Sequence, residues 1–520
     1  MRLFIFAIGG TGARVIRSLT MMLASGINGL DSSTEIIPII IDYDLSNGDK
    51  TRAINALRSY ASIHNILYPD TQNGNLYNNH FFMTKVLPLS QAGIANPQNI
   101  AKDYEFNFGP QGFSIKFSNY LRMASMTTNP EIQLTEDLLK SLYDCSPEDT
   151  KDAELELDMA KGFKGNPNIG SVVFHGIRHT DEFTAFKNTF NSATDRVFII
   201  SSIFGGTGAS GFPEIVNAIR TSGIATLNSA IIGSAIVLPY FDLQKYNPAN
   251  GDTGAIDADS FNAKTRAALS FYASQNGLNT RVNAIYYIGD KNHDAYQYNE
   301  GESRQQNDAH VVEFVAASSV IDFMKRTGFV NDEKIIVPNP VSNTDHQAFE
   351  FEIKDERIGE SIKLPDFEQS TQALFLDDLS TFAFAMKYYR DVVCGDRNRI
   401  GTTGYNASNR FNLTPKLGRG FYHLLDEFLL NNGKWGFYNW LDELKSHTHK
   451  LYPYVMDKSE PMKKVFSHKE ISVKVGNNPV RDDVLTGELN KASRDFSIYN
   501  EQTFLKLLKD VFSNKYKSVR

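Results

Sequence analysis

The chain has 520 residues, enough for about two or three domains with sizeable cores. Its composition, 41% hydrophobic and 22% charged, is that of a soluble globular protein, and a net charge of −7 without a basic block argues against nucleic acid as the main partner. The two cysteines, Cys145 and Cys394, lie far apart without metal-ligand spacing, so reduced thiols in a cytoplasmic protein are expected. With an apolar strand expected to begin at Arg2, no secretory leader is expected, and no apolar run reaches membrane-spanning length.

RLFIFAI (2–8) is a continuous apolar run closed by glycines, the pattern of a buried parallel strand. ARVIRSLTMMLA follows with helical spacing, and EIIPIIIDYD (35–44) reads as a second buried strand ending in Asp42 and Asp44. Strand, glycine turn, helix and acid-terminated strand make a βαβ unit. From about residue 51 to 156 the alternation breaks down into an Asn-, Tyr- and Phe-rich stretch, expected to be a long insertion, partly helical at TEDLLKSLY. The α/β rhythm then resumes. SVVFHGI is a strand or a helix start, DEFTAFKNTF a helix, and RVFIISSIF (196–204) a strand. A second glycine turn opens the helix FPEIVNAIRTSG, followed by a strand in 229–241, a helix over 261–275 and a strand over 283–290. A long apolar helix spans 309–328. Beyond it IIVPNP and FEFEIKD read as short strands. FLDDLSTFAFAMKYYRDVV, RGFYHLLDEFLLNNG, WGFYNWLDELKSH and EQTFLKLLKDVFSNKY read as amphipathic helices. The expected organisation is an α/β domain over 1–308 with an insertion at about 51–150, a helix over 309–328, and a divergent α+β domain over 329–520.

GGTG occurs twice, at 9–12 and 205–208, and the second copy extends to GTGASG (206–211), a literal GxGxxG. A glycine turn between a buried strand and a helix brings backbone N–H groups to a helix N-terminus, where the dipole favours an anion. One copy in a chain with 36 glycines reads equally as a tight turn; two copies on strand-to-helix connections can grip different phosphates of one ligand. GxxxxGK[ST] is absent, which removes the P-loop NTPases. A dinucleotide reading uses the first turn with Asp42 on a ribose hydroxyl, but leaves the second turn unexplained. His175 and His179 have helical ligand spacing without an accompanying HExxH glutamate, so surface or core roles are expected. Ser201 and Ser202 lack a GxSxG elbow, so a serine hydrolase is not supported.

LELDMAKGFKGNPNIG (155–170) and FNSATDRVFIISSIFGGTGASGFPEIVNAIR (190–220) together resemble the tubulin/FtsZ family, over about residues 1–50 and 150–328. Gly205, Gly206, Thr207, Gly208 and Ala209 match the glycine-rich tubulin signature. Ser210 stands where its last glycine is expected, with Gly211 displaced by one, and Phe204 stands where a small residue usually precedes it. The Phe-Glu-Gly-x-x-Arg phrase becomes Phe261 to Arg266, with Asn262 in place of the glutamate and the arginine kept. The central-helix phrase keeps Phe314 for stacking on a purine, while Ser319 replaces the purine-reading acid and Ala13 replaces an asparagine of the first loop.

The resemblance implies a Rossmann-like nucleotide-binding domain with a mostly parallel sheet, a central helix over 309–328 and a divergent C-terminal domain. It implies GTP or GDP, with Mg2+, lying across the sheet edge. The phosphates would be held by Gly9, Gly10, Thr11 and Gly12 and by the signature from Gly205 to Ser210. Gly165 and Asn166 would sit near the terminal phosphate, Asp42 near magnesium or a backbone amide, and Asn262, Arg266, Phe314 and Ser319 at the nucleoside. It further implies head-to-tail self-assembly into filaments, with hydrolysis completed by acids of the next subunit. For those acids Asp377 and Asp378 have the nearest spacing, with NDE (331–333) and Asp366 as other candidates. The insertion and the C-terminal region would serve lateral contacts or protein partners. A nucleotide-sensing scaffold that does not hydrolyse, and an NAD-binding Rossmann enzyme, are the alternatives.

Overall fold

The computed structural model describes residues 1–27, 30, 33–44, 46–69, 80–94, 97–106, 115–126, 132–143, 154–243, 259–274, 281–290, 294–296, 303, 305–326, 347–348, 351–353, 362–364, 369–390, 420–447, 474–475, 478–479, 482–498 and 500–517. Both cysteines, the stretch IIVPNP, the acids at 331–333 and Asp366 lie outside them. By their contacts the residues group into two units that interleave along the chain. Unit one is Met1–Ile16, Ile36–Ile54 and Leu87–Phe351; unit two is Arg17–Glu35, Asn55–Val86 and Glu352–Arg520.

Unit one is built on parallel strands. β1 (Arg2–Ile8) leads into α1 (Gly9–Ala24), of which this unit holds Gly9–Ile16, then β2 (Glu35–Ile41) and α2 (Gly48–Leu67), of which it holds Gly48–Ile54. Then follow α3 (Pro167–Phe174), α4 (Asp181–Thr189), β3 (Asp195–Ser202), α5 (Gly206–Arg220) and β4 (Ile232–Val237). α6 (Asp259–Ala273), β5 (Ala284–Ile288), α7 (Val311–Lys325) and β6 (Gln347–Ala348) complete it. Within unit one the strand order is β2-β1-β3-β4-β5-β6. β1 runs parallel to β3 from Arg2 opposite Asp195 to Ala7 opposite Ile200, and β4, β5 and β6 continue in parallel.

The strands are buried on both faces, which is why they read as unbroken apolar runs rather than alternating ones. Phe4 and Phe6 meet Phe186 of α4 edge-on at 5.1 Å, and Phe198 meets Phe323 of α7 at 5.3 Å, so helices cover both sides. At the open end of β1, Arg2 pairs with Asp195 at 2.5 Å and caps the carbonyls of Ala92 and Thr189, satisfying groups that close the bottom of the sheet. α7 is buried along nearly its whole length, as its apolar sequence requires.

Two local readings change. The stretch after residue 47 does not leave the α/β rhythm at once: residues 48–67 form α2, twenty residues long. Its apolar positions Ala53, Ile54, Ala56, Leu57, Tyr60 and Ile63 are buried at helical spacing, but so are the charged Asp49, Lys50 and Arg52, which makes its start look like loop. The HGIRH segment is a 3-10 helix, His175–His179, rather than an α-helical turn, so the two histidines do not share a helix face as a metal pair would. Among the described residues no group of three His, Cys, Asp or Glu side chains is placed to hold a metal ion, and no helix is long and apolar enough to cross a membrane.

Unit two is helical. α8 (Gln369–Tyr388), α9 (Phe421–Leu429), α10 (Phe437–Lys445), α11 (Asp482–Ala492) and α12 (Glu501–Lys517) fall on the four amphipathic segments of the sequence, with α11 in addition. Phe382 of α8 is ringed edge-on by Phe81, Phe82 and Phe437. Trp440 is fully buried and donates its indole N–H to Ser18 at 3.0 Å, and Arg17 forks onto Glu443 at 2.6 and 3.1 Å. The buried ammonium of Lys509 donates to the carbonyls of Ser25 and Gly26; burial pulls it down to about 8 against the attraction of Asp378.

Candidate functional site

In an open parallel sheet, ligands bind beyond the carboxyl ends of the strands where the strand order reverses. Here the chain steps from β1 outward to β2 on one side, while β3 to β6 extend on the other, so the reversal lies between β1 and β3. Both strands run straight into a GGTG segment. These segments are not loops ahead of the helices. α1 begins at Gly9 and α5 at Gly206, so the glycines form the first helical turns. Glycine is needed there for closeness. A Cβ on Gly12 would stand 2.6 Å from the carbonyl carbon of Ala7, so α1 can leave β1 at this angle only without a side chain. Gly9 has φ +70, and its missing side chain faces Thr207 and Gly208, which brings the two segments together.

A third helix start joins them. Asn166 is the N-cap of α3, with Pro167 at the first helical position. A Cβ on Gly206 would stand 3.0 Å from the Asn166 amide nitrogen and 3.1 Å from that of Gly165. The turn that presents these amides is held by backbone in the left-handed region at Lys164 (φ +41) and Gly165 (φ +77). The fold thus brings 9–12, 165–166 and 205–208 to one place. Neither α1 nor α5 carries an acid in its first turn, and neither the N-cap of α5 nor that of α3 makes a side-chain cap hydrogen bond. Helix starts without acids or side-chain caps leave donors and a positive dipole end for an anion.

Ser210 and Ala209 lie one turn further into α5. Ser210 is buried, donates to Gly206 O at 2.7 Å, and sits where a Cβ on Gly170 would fall, so it packs α5 against α3. Asp42, at the end of β2, is buried and accepts the Asp44 amide at 3.1 Å; burial pushes its carboxyl up to about 7 despite Lys50. Asp44 accepts the amide and hydroxyl of Ser46, a turn-forming role. Asn262 and Arg266 are exposed on α6. Phe314 and Ser319 are both buried within α7, and Ser319 donates to Ala316 O at 2.6 Å. Asp377 and Asp378 lie in the interior of α8 rather than at a helix start. Asp378 is buried, with its charge acting on Lys509, while the Asp377 side chain falls outside the description.

A buried polar cluster beside the first glycine turn has no counterpart among the sequence motifs. Arg14, on the second turn of α1, donates to Glu313 at 2.5 Å, Asp49 and Tyr240 at 2.7 Å, and Thr11 Oγ1 at 3.3 Å. Tyr240 also donates to Glu313 at 2.7 Å, Arg52 pairs with Asp49 at 2.6 Å, and Glu313 closes a capping box with His310. Burial alone would lower the Arg14 pKa, but Tyr240, Glu313 and Asp49 outweigh it and raise it. An arginine has only donors, so the Thr11 oxygen accepts from Arg14 and its own proton is left to donate. On the same side, Asn47 donates to Gln305 at 3.0 Å, and the Gln305 amide nitrogen lies 3.3 Å from where a Gly10 Cβ would be. Nothing periodic in the sequence ties residues 14, 49, 240 and 313 together.

Because Gly12 is set by contact with backbone, Gly12→Ala is expected to destabilise by about 1–3 kcal/mol and to weaken any ligand of the glycine turns. Chemical unfolding and ligand titration of the variant check both.

No protein-family model matches the sequence, and no curated protein matches it. Among solved structures, it is similar to a chain in the helical model of the TubZ-Bt two-stranded filament, at 11% identity and a TM-score of 0.22. That similarity covers 68% of this chain and 63% of the other, so the chain matches less than two thirds of its neighbour's length.

Proposed function

We propose that this chain binds a nucleotide, GTP or GDP, through the three converging helix starts, and that it self-associates head to tail into filaments. The observation that carries the nucleotide reading is the meeting of 9–12, 165–166 and 205–208 at the strand-order reversal, without an acid in the first turn of α1 or α5. The groups present fit a phosphate chain: backbone amides of three helix N-termini and a Thr11 hydroxyl free to donate. Mg2+ would enter with the phosphates, its waters within reach of Asp42 or Asp44 at the end of β2. A bound nucleotide supplies the anhydride whose hydrolysis the family couples to assembly; the chain's own part is to hold its phosphates and exclude its free rotation.

Filament formation and hydrolysis at the subunit joint rest on the sequence phrases shared with the tubulin/FtsZ family, in which a neighbour's acid completes the site. Of the two acids singled out, Asp378 is already engaged by Lys509, which leaves Asp377 as the one to carry that role. Asn262 and Arg266, which the resemblance assigns to the nucleoside, are exposed, whereas Phe314 and Ser319 are buried and must become accessible before they touch a base.

The test is to denature purified protein and separate what it releases against GTP, GDP, ATP, ADP and NAD standards, and to pellet the native protein with and without nucleotide. Guanine nucleotide with nucleotide-dependent pelleting is the expected result. Guanine nucleotide without pelleting selects a nucleotide-sensing scaffold, and NAD overturns the reading in favour of a redox enzyme.

A further inference from the structure

The helix Gln133–Leu142, expected from the sequence within the insertion, keeps its largest side chains in solvent. Leu134 is 80% exposed, Leu138 57% and Leu142 64%, one above the other at four-residue spacing. The fold uses the opposite face, where Glu136 is buried and pairs with Lys140 at 2.5 Å. The three leucines therefore form a ridge that faces water. A second exposed apolar face lies on α6 of the same unit. Phe271 is 59% exposed, and Ala263 and Ala267 are exposed in line with it at the same spacing. The buried face of α6 is again the other one, carrying Phe261, Thr265 and Tyr272. Aligned exposed apolar side chains, unlike single ones, mark sites of association.

Resting on the self-association proposed above, we propose that the leucine helix of one copy docks antiparallel onto α6 of a second copy. Shape favours this occupant. Ridges at four-residue spacing pack into grooves of the same kind, and the small Ala263 and Ala267 let the two axes approach. With Leu138 over Ala267, Leu142 falls on Ala263 and Leu134 on Phe271. Charge favours it too. At about 100° per residue, Asp137 lies on one flank of its ridge and Arg266 on the matching flank of the other. Antiparallel packing brings those two flanks together, and both side chains are exposed. A second leucine helix is a poorer occupant. Laid antiparallel, it sets two Asp137 carboxylates on one edge; laid parallel, it offers Asp137 no cation. A contact between two different faces is heterologous, the kind that extends head to tail.

The experiment is sedimentation of the full chain, without nucleotide and with GMPPNP, as wild type, Leu138→Glu and Phe271→Glu. Each variant is expected to weaken self-association about tenfold or more. Mixed, the two variants are expected to pair one to one and stop there, because each keeps the face that the other has lost. Variants that associate as wild type does, or that do not pair when mixed, overturn this interface and leave self-association standing. Loss in only one of the two variants also overturns it, because the contact needs both faces. Wild type that stays monomeric under both conditions overturns the self-association and this inference with it. Both positions are exposed, and matched unfolding midpoints show that the differences arise in association. Leu134→Gln and Ala267→Gln replace a variant that does not fold.

Discussion

Replacing Arg14 with methionine is expected to bring the protein to the edge of unfolding. The guanidinium is buried and is bonded to Asp49, Glu313, Tyr240 and Thr11 at once. Methionine fills much of the volume but leaves two carboxylates buried with their shared cation gone. Breaking a buried ion pair on one side costs about 3–5 kcal/mol, a large share of the roughly 5–15 kcal/mol that holds a typical domain. Urea unfolding of Arg14→Met should show the loss directly. The double variant Arg14→Met, Glu313→Gln should recover part of it, because the Glu313 charge leaves with the cation while Asp49 keeps its pair with Arg52. If Arg14→Met costs less than about 1 kcal/mol, or the double variant is no better than the single one, the buried cluster does not hold these elements together. The same variant should weaken nucleotide retention beyond its effect on stability, since Thr11 then loses the donor that fixes its hydroxyl.

Asp42 is expected to make stability fall as pH rises. Its carboxyl is pushed up to about 7 from an ordinary 3.8, first by burial and further by Asp44, against the pull of Lys50. The folded protein thus holds the proton where the unfolded chain has released it. The contribution is fully present below about pH 4 and is lost as pH rises through about 7. The shift sets an upper limit on the order of 4 kcal/mol. The measurement is the difference in unfolding free energy between nucleotide-free wild type and Asp42→Asn at intervals from acid to neutral pH. The variant should gain on the wild type steadily across that window; a flat difference would sink the prediction. Lys509 titrates above this window with the opposite slope: lowered to about 8 from 10.5, it lets stability rise with pH between those values.

What was legible in the sequence is what burial writes into it. β1, β3 and β4 are apolar runs because helices cover both faces of the sheet, and α7 is mostly apolar because it is enclosed. The glycine phrases were legible because close approach to backbone admits no side chain at Gly12 or Gly208. Their assignment as loops was off by a turn: glycine marks closeness, and a helix start supplies it as readily as a loop. The beginning of α2 was missed because Asp49 and Arg52 are inward-facing charges, and a helix whose buried face is charged has no apolar stripe to read. Arg14, Tyr240 and Glu313 were missed for a related reason. Their roles depend on which distant residue they meet, and pairings separated by 35 to 299 positions leave no period in a sequence.

The interleaving of the two units bears on how the protein comes off the ribosome. The chain passes from one unit to the other after Ile16, Glu35, Ile54, Val86 and Phe351, so neither unit is a continuous stretch that can finish before the other begins. Arg17 and Ser18, made within the first twenty residues, wait for Glu443 and Trp440, and Ser25 waits for Lys509. Nearly the whole chain must therefore emerge before the helical unit can close around its own early segments. Until then their apolar faces stand open, and a holding chaperone has a long interval in which to act.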